Sequence, residues 1–513
     1  MYPYDDATAP ISLPQRGPQR GRERRRWPKR MAKFAVATVS ALVLASTGYA
    51  WAFYAGFTGG LTHSDAASRA PKSKDGSTNI LIMGLDNRLD QQGNPLPKEV
   101  YHAMHVGTEQ NGGYNTNVMM LLHVPKDGSK STLISIPRDD YATLDGSPHG
   151  ESRSKLKEGY GLRKAAKESE LVQQGTSDRP TLERLGREAG RQQTITDVSR
   201  FLGGVPIDHF VEVTLVGFYD LAQALGTIKV CVSGDTEDLY YANLKLSKGT
   251  HDLTATQALA FVRQRRDKNQ ADFTDLDRSR RQQAFLASAA FQLKSAGTLA
   301  NPVKMQGLVE AAQRNIVISS GFDLLGFLGE SSGLANGGIS YHTLPIKNFA
   351  KIDGGDVNVV DLHQIRTITR ELLGIKKPPI TTLPAGPVDV VNASGAQGLA
   401  AALSGALVAK GMTAGLTSTA APVQLSSISY GPGAEQAARA ASELLDIDDV
   451  QPGRSVPAGR VRITLGGDFG MPAELAPPAD KPAPGTPVPP PVPSADAPKG
   501  PEPIQGGSIP CVK

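Results

Sequence analysis

The stretch that most constrains this chain is FAVATVSALVLASTGYAWAFYAGF, residues Phe34–Phe57, which carries no charge over 24 residues. At a helical rise of about 1.5 Å per residue it is long enough to cross a hydrocarbon layer of roughly 30 Å. No polar face interrupts it, which argues against a buried core helix. Just before it, Arg16–Lys33 hold nine basic residues against one acid, Glu23. Trp27 lies near one end and Tyr49, Trp51 and Tyr54 near the other, where amphipathic rings favour the interface. The reading is a membrane helix over 31–57, a basic cytoplasmic tail over 1–30, and everything after about residue 58 outside the cytoplasm. A cleaved signal peptide, with Ala50-Trp51-Ala52 as its site, is the competing reading. Such peptides have an apolar region of only about 7–15 residues. The basic run sets topology and touches anionic lipid.

With 513 residues the chain is too long for one ordinary domain, and a net charge of +5 is too small for a nucleic-acid coat. The two cysteines, Cys231 and Cys511, exclude a CxxC zinc site and a disulfide-dense module. They are expected to pair with each other in an oxidising compartment.

Residues 58–77 are small and polar and read as a linker. Short apolar runs bounded by Gly, Asn, Pro and Asp follow at 79–85 (NILIMGL), 118–124 (VMMLLHV) and 131–137 (STLISIP), as buried strands do. Residues 151–202 are charged and helical in pattern, broken at Pro180. Further strands are expected at 209–216 and 227–232, and a helix capped by Thr254 at 254–262. Prolines at 375–387 mark a boundary. Beyond it, two strands (388–394, 460–466) and two helices (396–411, 433–445) describe a small second α/β domain. From Pro472 to Pro503 there are thirteen prolines, so 471–513 reads as a disordered, extended tail.

The candidate chemistry is concentrated in FVRQRRDKNQADFTDLDRSRRQQAF, 261–285, where six arginines and one lysine accompany four aspartates. The stretch leaves one apolar helix and enters another, so a folded domain holds its backbone. Helical spacing puts Arg278, Arg281 and Gln282 on one face and turns Arg280 elsewhere. Arg263 and Arg265 precede them across a polar loop. Converging guanidiniums need an anion, and their planar forks match phosphate oxygens. The bland alternative is a solvated face neutralised by Asp267, Asp275 and Asp277. Two strand ends favour the phosphate site: one closes with Asp86 and Arg88, another with Arg138 and Asp139. Together these residues suit a phosphate with a hard divalent cation such as Mg²⁺, and no His/Cys cluster argues for zinc.

NILIMGLDNR, YNTNVMMLLHV, SIPRDDY and ALAFVRQR…DLDRSRRQQ occur in the order of the signature blocks of the LytR-CpsA-Psr family, which residues 78–375 resemble. Residues 388–466 are similar to the LytR C-terminal domain that follows this module in many actinobacterial members. The resemblance implies a mixed-sheet catalytic domain flanked by helices, outside the membrane. It also implies a phosphotransferase that moves a glycopolymer from a polyprenyl-pyrophosphate carrier onto peptidoglycan through a phosphodiester. It assigns the diphosphate to Arg138, Arg263, Arg265 and Arg278, with Gln282 as a polar pocket residue. Arg88 and Arg281 join the substrate-binding set, and catalysis falls to Asp86, Arg138 and Arg278. Asp86 becomes a carboxylate near Mg²⁺ (Mn²⁺ being an alternative ion). Where the family commonly has a second metal-side aspartate, this chain has Asn117, and residues 89–113 are inserted between the two motifs. Asp139 or an acid of the insertion is then a further candidate. The expected partners are the lipid-linked glycopolymer, peptidoglycan and membrane lipid, with no nucleic acid. Rival readings are a polyprenyl-diphosphate pyrophosphatase and a regulator or scaffold of the cell envelope. A DNA-binding reading lacks apolar periodicity in the first thirty residues.

Overall fold

The computed structural model describes residues 56, 59–108, 110, 112–295, 301–324, 326–327, 338–376, 380, 382–476 and 501–513. The uncharged run 34–57 and the proline-rich stretch 477–500 therefore lie outside the described residues, apart from Gly56. Among the described residues no helix is long and apolar enough to cross a membrane.

The central element is a mixed sheet built from β1 (Thr62–Ser64), β2 (Thr78–Leu85), β3 (Thr116–Val124), β4 (Ser131–Ser135), β5 (His209–Thr214), β8 (Ile316–Ser319), β9 (Ile339–Thr343) and β15 (Ile504–Gln505). Two more strands, β6 (Ile228–Val232) and β7 (Gly249–Leu253), pair antiparallel beside it. The order across the main sheet is β1-β8-β5-β2-β3-β4-β9-β15. β2 runs parallel to β5 and antiparallel to β3, and β3 is antiparallel to β4. This topology brings the ends of β2, β4 and β5 and the start of β3 to one edge. Asp86, Asn117, Arg138 and Thr214 are all delivered there.

Both faces of the sheet are covered, so its strands are apolar on both sides. The helices are α1 (Lys98–Met104), α2 (Gly159–Gln173), α3 (Arg179–Phe201), α4 (Leu215–Leu225), α5 (Ala255–Arg263), α6 (Asp275–Ser295), α7 (Pro302–Asn315) and α8 (Leu362–Leu373). Leu81, Met83, Met119 and Leu121 pack with Ile195, Val198 and Phe201 of α3 and Ile365 of α8. Ile82, Val118 and Met120 face Ala222 of α4, Phe261 of α5 and Phe285 of α6. The two-residue period of β2 thus feeds two separate cores.

Local sequence explains the helix starts. Thr254 and Gln257 form a reciprocal capping box on α5, Asp178 caps α3 with Pro180 in its first turn, and Thr214 caps α4. The strand expected over 209–216 ends at Thr214, because Leu215 and Val216 open α4 once that cap is made.

The second domain has the sheet order β11-β10-β14-β12-β13, formed by β10 (Pro387–Asn392), β11 (Thr413–Thr419), β12 (Ser427–Tyr430), β13 (Val450–Pro452) and β14 (Val461–Leu465). Helices α9 (Leu399–Ala409) and α10 (Glu435–Leu445) bury Leu403, Leu407, Ala438 and Ala441 against it. Residues 57–513 form one compact unit.

Two expectations are corrected. Residues 58–77 are not a free linker: β1 pairs with β8 at the sheet edge, and Leu61, Ala66 and Ala67 are buried. Nor is the tail coreless to its end. Ile504–Gln505 adds a strand to β9, and β16 (Cys511–Val512) pairs with β6. Ile504 and Val512 pack into the core between the sheets, which gives residues 501–513 apolar contacts of their own. Cys511 is bonded to Cys231, as expected for the pair.

Candidate active site

An apolar cavity of about 370 Å³ lies between the sheet and helices α4, α5 and α6. Phe218, Leu221 and Leu225 of α4 form one wall, and Phe285, Leu286, Ala289 and Leu293 of α6 form another. Its polar residues gather at the sheet edge: Asp86, Asn117, Arg138, Arg263, Arg265, Arg278 and Gln282. The site is therefore a polar mouth on an apolar chamber. α6 supplies both parts, since Arg278, Gln282, Phe285, Leu286, Ala289 and Leu293 follow its 3.6-residue stripe.

At the mouth Asn117 links an acid to a base. Its Nδ2 donates to Asp86 Oδ2 at 2.7 Å, and its Oδ1 accepts from Arg138 Nη1 at 2.8 Å. Backbone contacts fix Asp86: its N–H donates to the Asn115 carbonyl at 3.0 Å and its carbonyl accepts from Gly113 N–H at 3.2 Å. Gly112 passes so close that a Cβ there would meet the Asp86 carbonyl at 3.0 Å. The inserted segment, 89–113, thus returns to pack on Asp86 and Arg88 just before its start.

Asp275, at the start of α6, clamps two arginines. Its Oδ1 lies 2.5 Å from Arg278 Nη2 and 3.5 Å from Arg138 Nε. Its Oδ2 is buried without a hydrogen-bond partner. Asp139 contacts Arg138 at 3.3 Å and Lys157 at 2.6 Å. Burial works against its charge, yet Arg138 and Lys157 hold its carboxyl below the usual range.

Positive charge remains in excess. No carboxylate forms an ion pair with Arg263 or Arg265 among the described residues. Burial lowers the pKa of both, and that of Arg278 falls to about 10. Arg138 and Arg265 also repel Arg278, and Arg88 and Arg265 repel Arg263. Each guanidinium is poorly solvated and near another. A multivalent anion at this mouth removes both costs.

Seven of the expected residues meet at the cavity; two lie elsewhere. Arg88 sits behind the mouth, buried, with Nε and Nη1 lacking hydrogen-bond partners, and burial lowers its pKa. Arg281 points away from the cavity. Its Nε donates to the Lys513 carbonyl at 2.7 Å, its Nη2 to Thr236 Oγ1 at 2.8 Å, and its Nη1 to Gln264 Oε1. Its guanidinium lies between the rings of Phe261 and Phe273, at 5.0 and 4.8 Å. A ligand-facing Arg281 is thereby corrected to a clamp on the C-terminal strand. Arg280 is half-buried, turned away from the cavity, and donates to the Glu502 carbonyl at 2.6 Å. The sequence offered Asp275 as an arginine-neutralising acid only within the solvated-face alternative; here it neutralises Arg278, one turn on, and Arg138 at the cavity mouth itself.

Among the described residues no three His, Cys, Asp or Glu side chains cluster as a metal site. Mg²⁺ is commonly held by one or two carboxylates plus substrate phosphates, and Asp86 at the mouth fits that pattern. Asn117 turns its oxygen to Arg138, so its carbonyl reaches a cation only by giving up that bond.

The LytR_cpsA_psr family model matches residues 57–373, and the model described as LytR cell envelope-related transcriptional attenuator matches residues 386–469. The chain is 36% identical to Cell wall biosynthesis protein LcpA of Corynebacterium glutamicum over 365 residues, covering 68% of each chain. It is 28% identical over 203 residues to the polyisoprenyl-teichoic acid–peptidoglycan teichoic acid transferase TagU of Bacillus cereus, covering 39% of this chain and 48% of that protein. A LytR-Csp2A-Psr enzyme from Actinomyces oris aligns with a TM-score of 0.40 at 22% identity, covering 61% of this chain and 95% of that structure.

Proposed function

Because this chain belongs to the LytR-CpsA-Psr family, we propose that it is a membrane-anchored, extracytoplasmic transferase that moves a glycopolymer from a polyprenyl-pyrophosphate carrier onto peptidoglycan. The observation that carries this reading is the join between chamber and mouth. A prenyl chain needs an apolar cavity and a diphosphate needs unneutralised arginines, and here one helix lines both. The name of the TagU relative, a polyisoprenyl-linked transferase, supports the same donor class.

In this reading Arg138, Arg263, Arg265 and Arg278 hold the diphosphate, with Arg88 close behind them. An acceptor hydroxyl attacks the phosphorus next to the sugar, a new P–O bond forms, the P–O bond to polyprenyl phosphate breaks, and the hydroxyl proton passes to the departing phosphate or to solvent. The arginines stabilise charge gathering on the leaving phosphate, most effectively where water is excluded. Mg²⁺ (or Mn²⁺), when bound by Asp86 and the phosphates, would neutralise part of that charge. Asn117 orients Asp86 and Arg138 toward the same point. The apolar walls keep bulk water from the prenyl side, which favours transfer over hydrolysis by the same site.

The test is extraction of the purified full-length protein followed by mass spectrometry and a transfer assay. A co-purifying polyprenyl phosphate or diphosphate, and phosphodiester-linked product on peptidoglycan, are expected. Release of free glycopolymer phosphate without transfer would favour the pyrophosphatase reading. Absence of both lipid and product would overturn the proposal.

A further inference from the structure

A second and larger cavity, about 1020 Å³, runs between the catalytic domain and the small C-terminal domain. On its α3 side Gln192, Thr196 and Ser199 alternate with apolar Ile195 and Leu202. These residues belong to the helix that covers the sheet face opposite the arginine mouth. The cleft is thus a separate place on the molecule, and the transferase chemistry leaves it unused.

A buried ionic node lines the cleft. Arg366 of α8 donates through Nη1 to Asp446 Oδ1 at 3.1 Å and through Nη2 to both carboxylate oxygens of Asp448 at 2.8 and 2.7 Å. The same Nη2 reaches the Arg200 carbonyl at 2.9 Å. His363 adds a contact to Asp446 at 2.8 Å. Gly203, at φ +84°, lets the chain pass where a Cβ would lie 3.0 Å from the Arg366 side chain. One arginine therefore joins α3, α8 and the C-terminal domain, and two of the acids lining the cleft are occupied by it.

The remaining lining charge is mostly positive, five cations against one further acid, Glu443. Arg69 and Lys376 are exposed and Arg370 half-exposed, and none of the three forms an ion pair among the described residues. Among the described residues the Arg370 guanidinium donates to the Thr367 hydroxyl, at 2.9 Å. Arg200 and Arg439 add two more cations, each paired with a carboxylate outside the cleft, Asp145 and Glu435. Cations spread along an extended, solvent-open groove, with apolar surface between them, do not match the compact diphosphate of the mouth. They match a chain with repeated negative charge and hydroxyl groups to bond the α3 side.

We propose that this interdomain cleft is a second binding site, which takes a linear anionic glycan. Repeated phosphodiesters or carboxylates would sit on Arg69, Arg370 and Lys376, and sugar hydroxyls on Gln192, Thr196 and Ser199. The C-terminal domain then has a binding role: it supplies one wall of the groove. The shared chemistry has two sources at a cell envelope, a phosphate-bearing wall polymer and the peptide-substituted strands of peptidoglycan. The proposal extends the transferase reading without depending on it, since binding is measured at equilibrium with no turnover.

The test uses the full-length protein in detergent and three fluorescent probes: glycerol-phosphate teichoic acid, solubilised uncrosslinked peptidoglycan strands, and neutral dextran. Anisotropy should rise with at least one charged probe and not with dextran, and should fall in high salt as screening shortens to roughly 3 Å at 1 M. The triple variant Arg69→Glu/Arg370→Glu/Lys376→Glu should weaken that binding at least tenfold, whereas Arg278→Ala at the mouth should leave it unchanged. The better charged probe identifies the source. Should the triple variant lose its cooperative melt, the exposed pair Arg69→Glu/Lys376→Glu serves, with a threefold or greater loss expected. Equal binding by wild type and charge-reversed protein, loss of binding in Arg278→Ala, or no binding of either charged probe would overturn the proposal.

Discussion

Two groups of buried arginines in this chain have opposite electrostatics. Arg187, Arg191 and Arg366 are each matched by acids. Arg191 forks onto Glu212 with two bonds of 2.9 Å, Arg187 bonds Glu183 at 2.6 Å, and Arg366 holds Asp446 and Asp448. Burial opposes their charge, but the neighbouring acids win and all three pKa values are raised. Arg263, Arg265 and Arg278 are buried as well, yet their pKa values are lowered, because desolvation and mutual repulsion outweigh Asp86 and Asp275. A buried arginine with its full complement of acids holds the fold together. One without it is kept for an anion that arrives from outside.

The comparison breaks first at Arg191. Arg191→Ala leaves Glu212, fully buried on β5, without its fork, and only the Tyr160 hydroxyl remains on it at 3.1 Å. A loss of about 3–5 kcal/mol is expected from an uncompensated buried charge, read by denaturant titration, with no recovery on adding ligand. Arg278→Ala should behave in the opposite way. Transfer should fall by about 10²–10³ in kcat, as when a charge-stabilising donor is removed, while the melt stays within a few degrees of wild type. If the two variants lose stability equally, the division between structural and ligand-facing arginines fails.

Arg281→Ala tests the boundary between the groups, because burial lowers its pKa to about 10 although it faces no ligand. Asp267 lies 3.9 Å away, and the closer contacts are to neutral oxygens. An intermediate cost of about 1–3 kcal/mol is expected, from unsatisfied Gln264, Thr236 and Lys513 acceptors. Hydrogen exchange should rise first in residues 501–513. Protection unchanged there would show that the C-terminal strand does not depend on this clamp.

Much of the fold was legible in the sequence, because β2, β3, β4 and β6 are apolar runs with clear turn residues at their ends. The mouth was legible too: Asp86 and Arg138 follow strands, and Arg278 and Gln282 share a helical face. Arg281 was misplaced by the same spacing rule. It lies about 60° from Arg278 on the side away from Gln282, and what it meets there is a carbonyl 232 residues further on. No local pattern encodes such a contact. The C-terminal strands were hidden for a related reason: Ile504, Cys511 and Val512 follow a proline-rich stretch whose composition argues for no core at all. Pairing across the chain decided both.

The smallest and sharpest test lies at Asn117, where the mouth carries an amide between an acid and a base. Asn117 Nδ2 donates to Asp86 Oδ2 at 2.7 Å, and Asn117→Asp replaces that donor with a second carboxylate oxygen. Two carboxylates at that separation repel unless a proton or cation lies between them. The variant should therefore melt lower than wild type in chelator, by about 1 kcal/mol as an order of magnitude for a lost hydrogen bond. Added Mg²⁺ should restore the melt in the variant and leave the wild type nearly unmoved. In the transfer assay the Mg²⁺ concentration for half-maximal rate should fall several-fold, since the site has gained a negative charge. Arg138, which bonds the Asn117 oxygen at 2.8 Å, keeps its acceptor in the variant and so separates the metal effect from loss of the arginine. If the midpoint stays where it was and Mg²⁺ does not restore the melt, Asp86 and position 117 do not share a cation, and the amide serves only to orient its two neighbours.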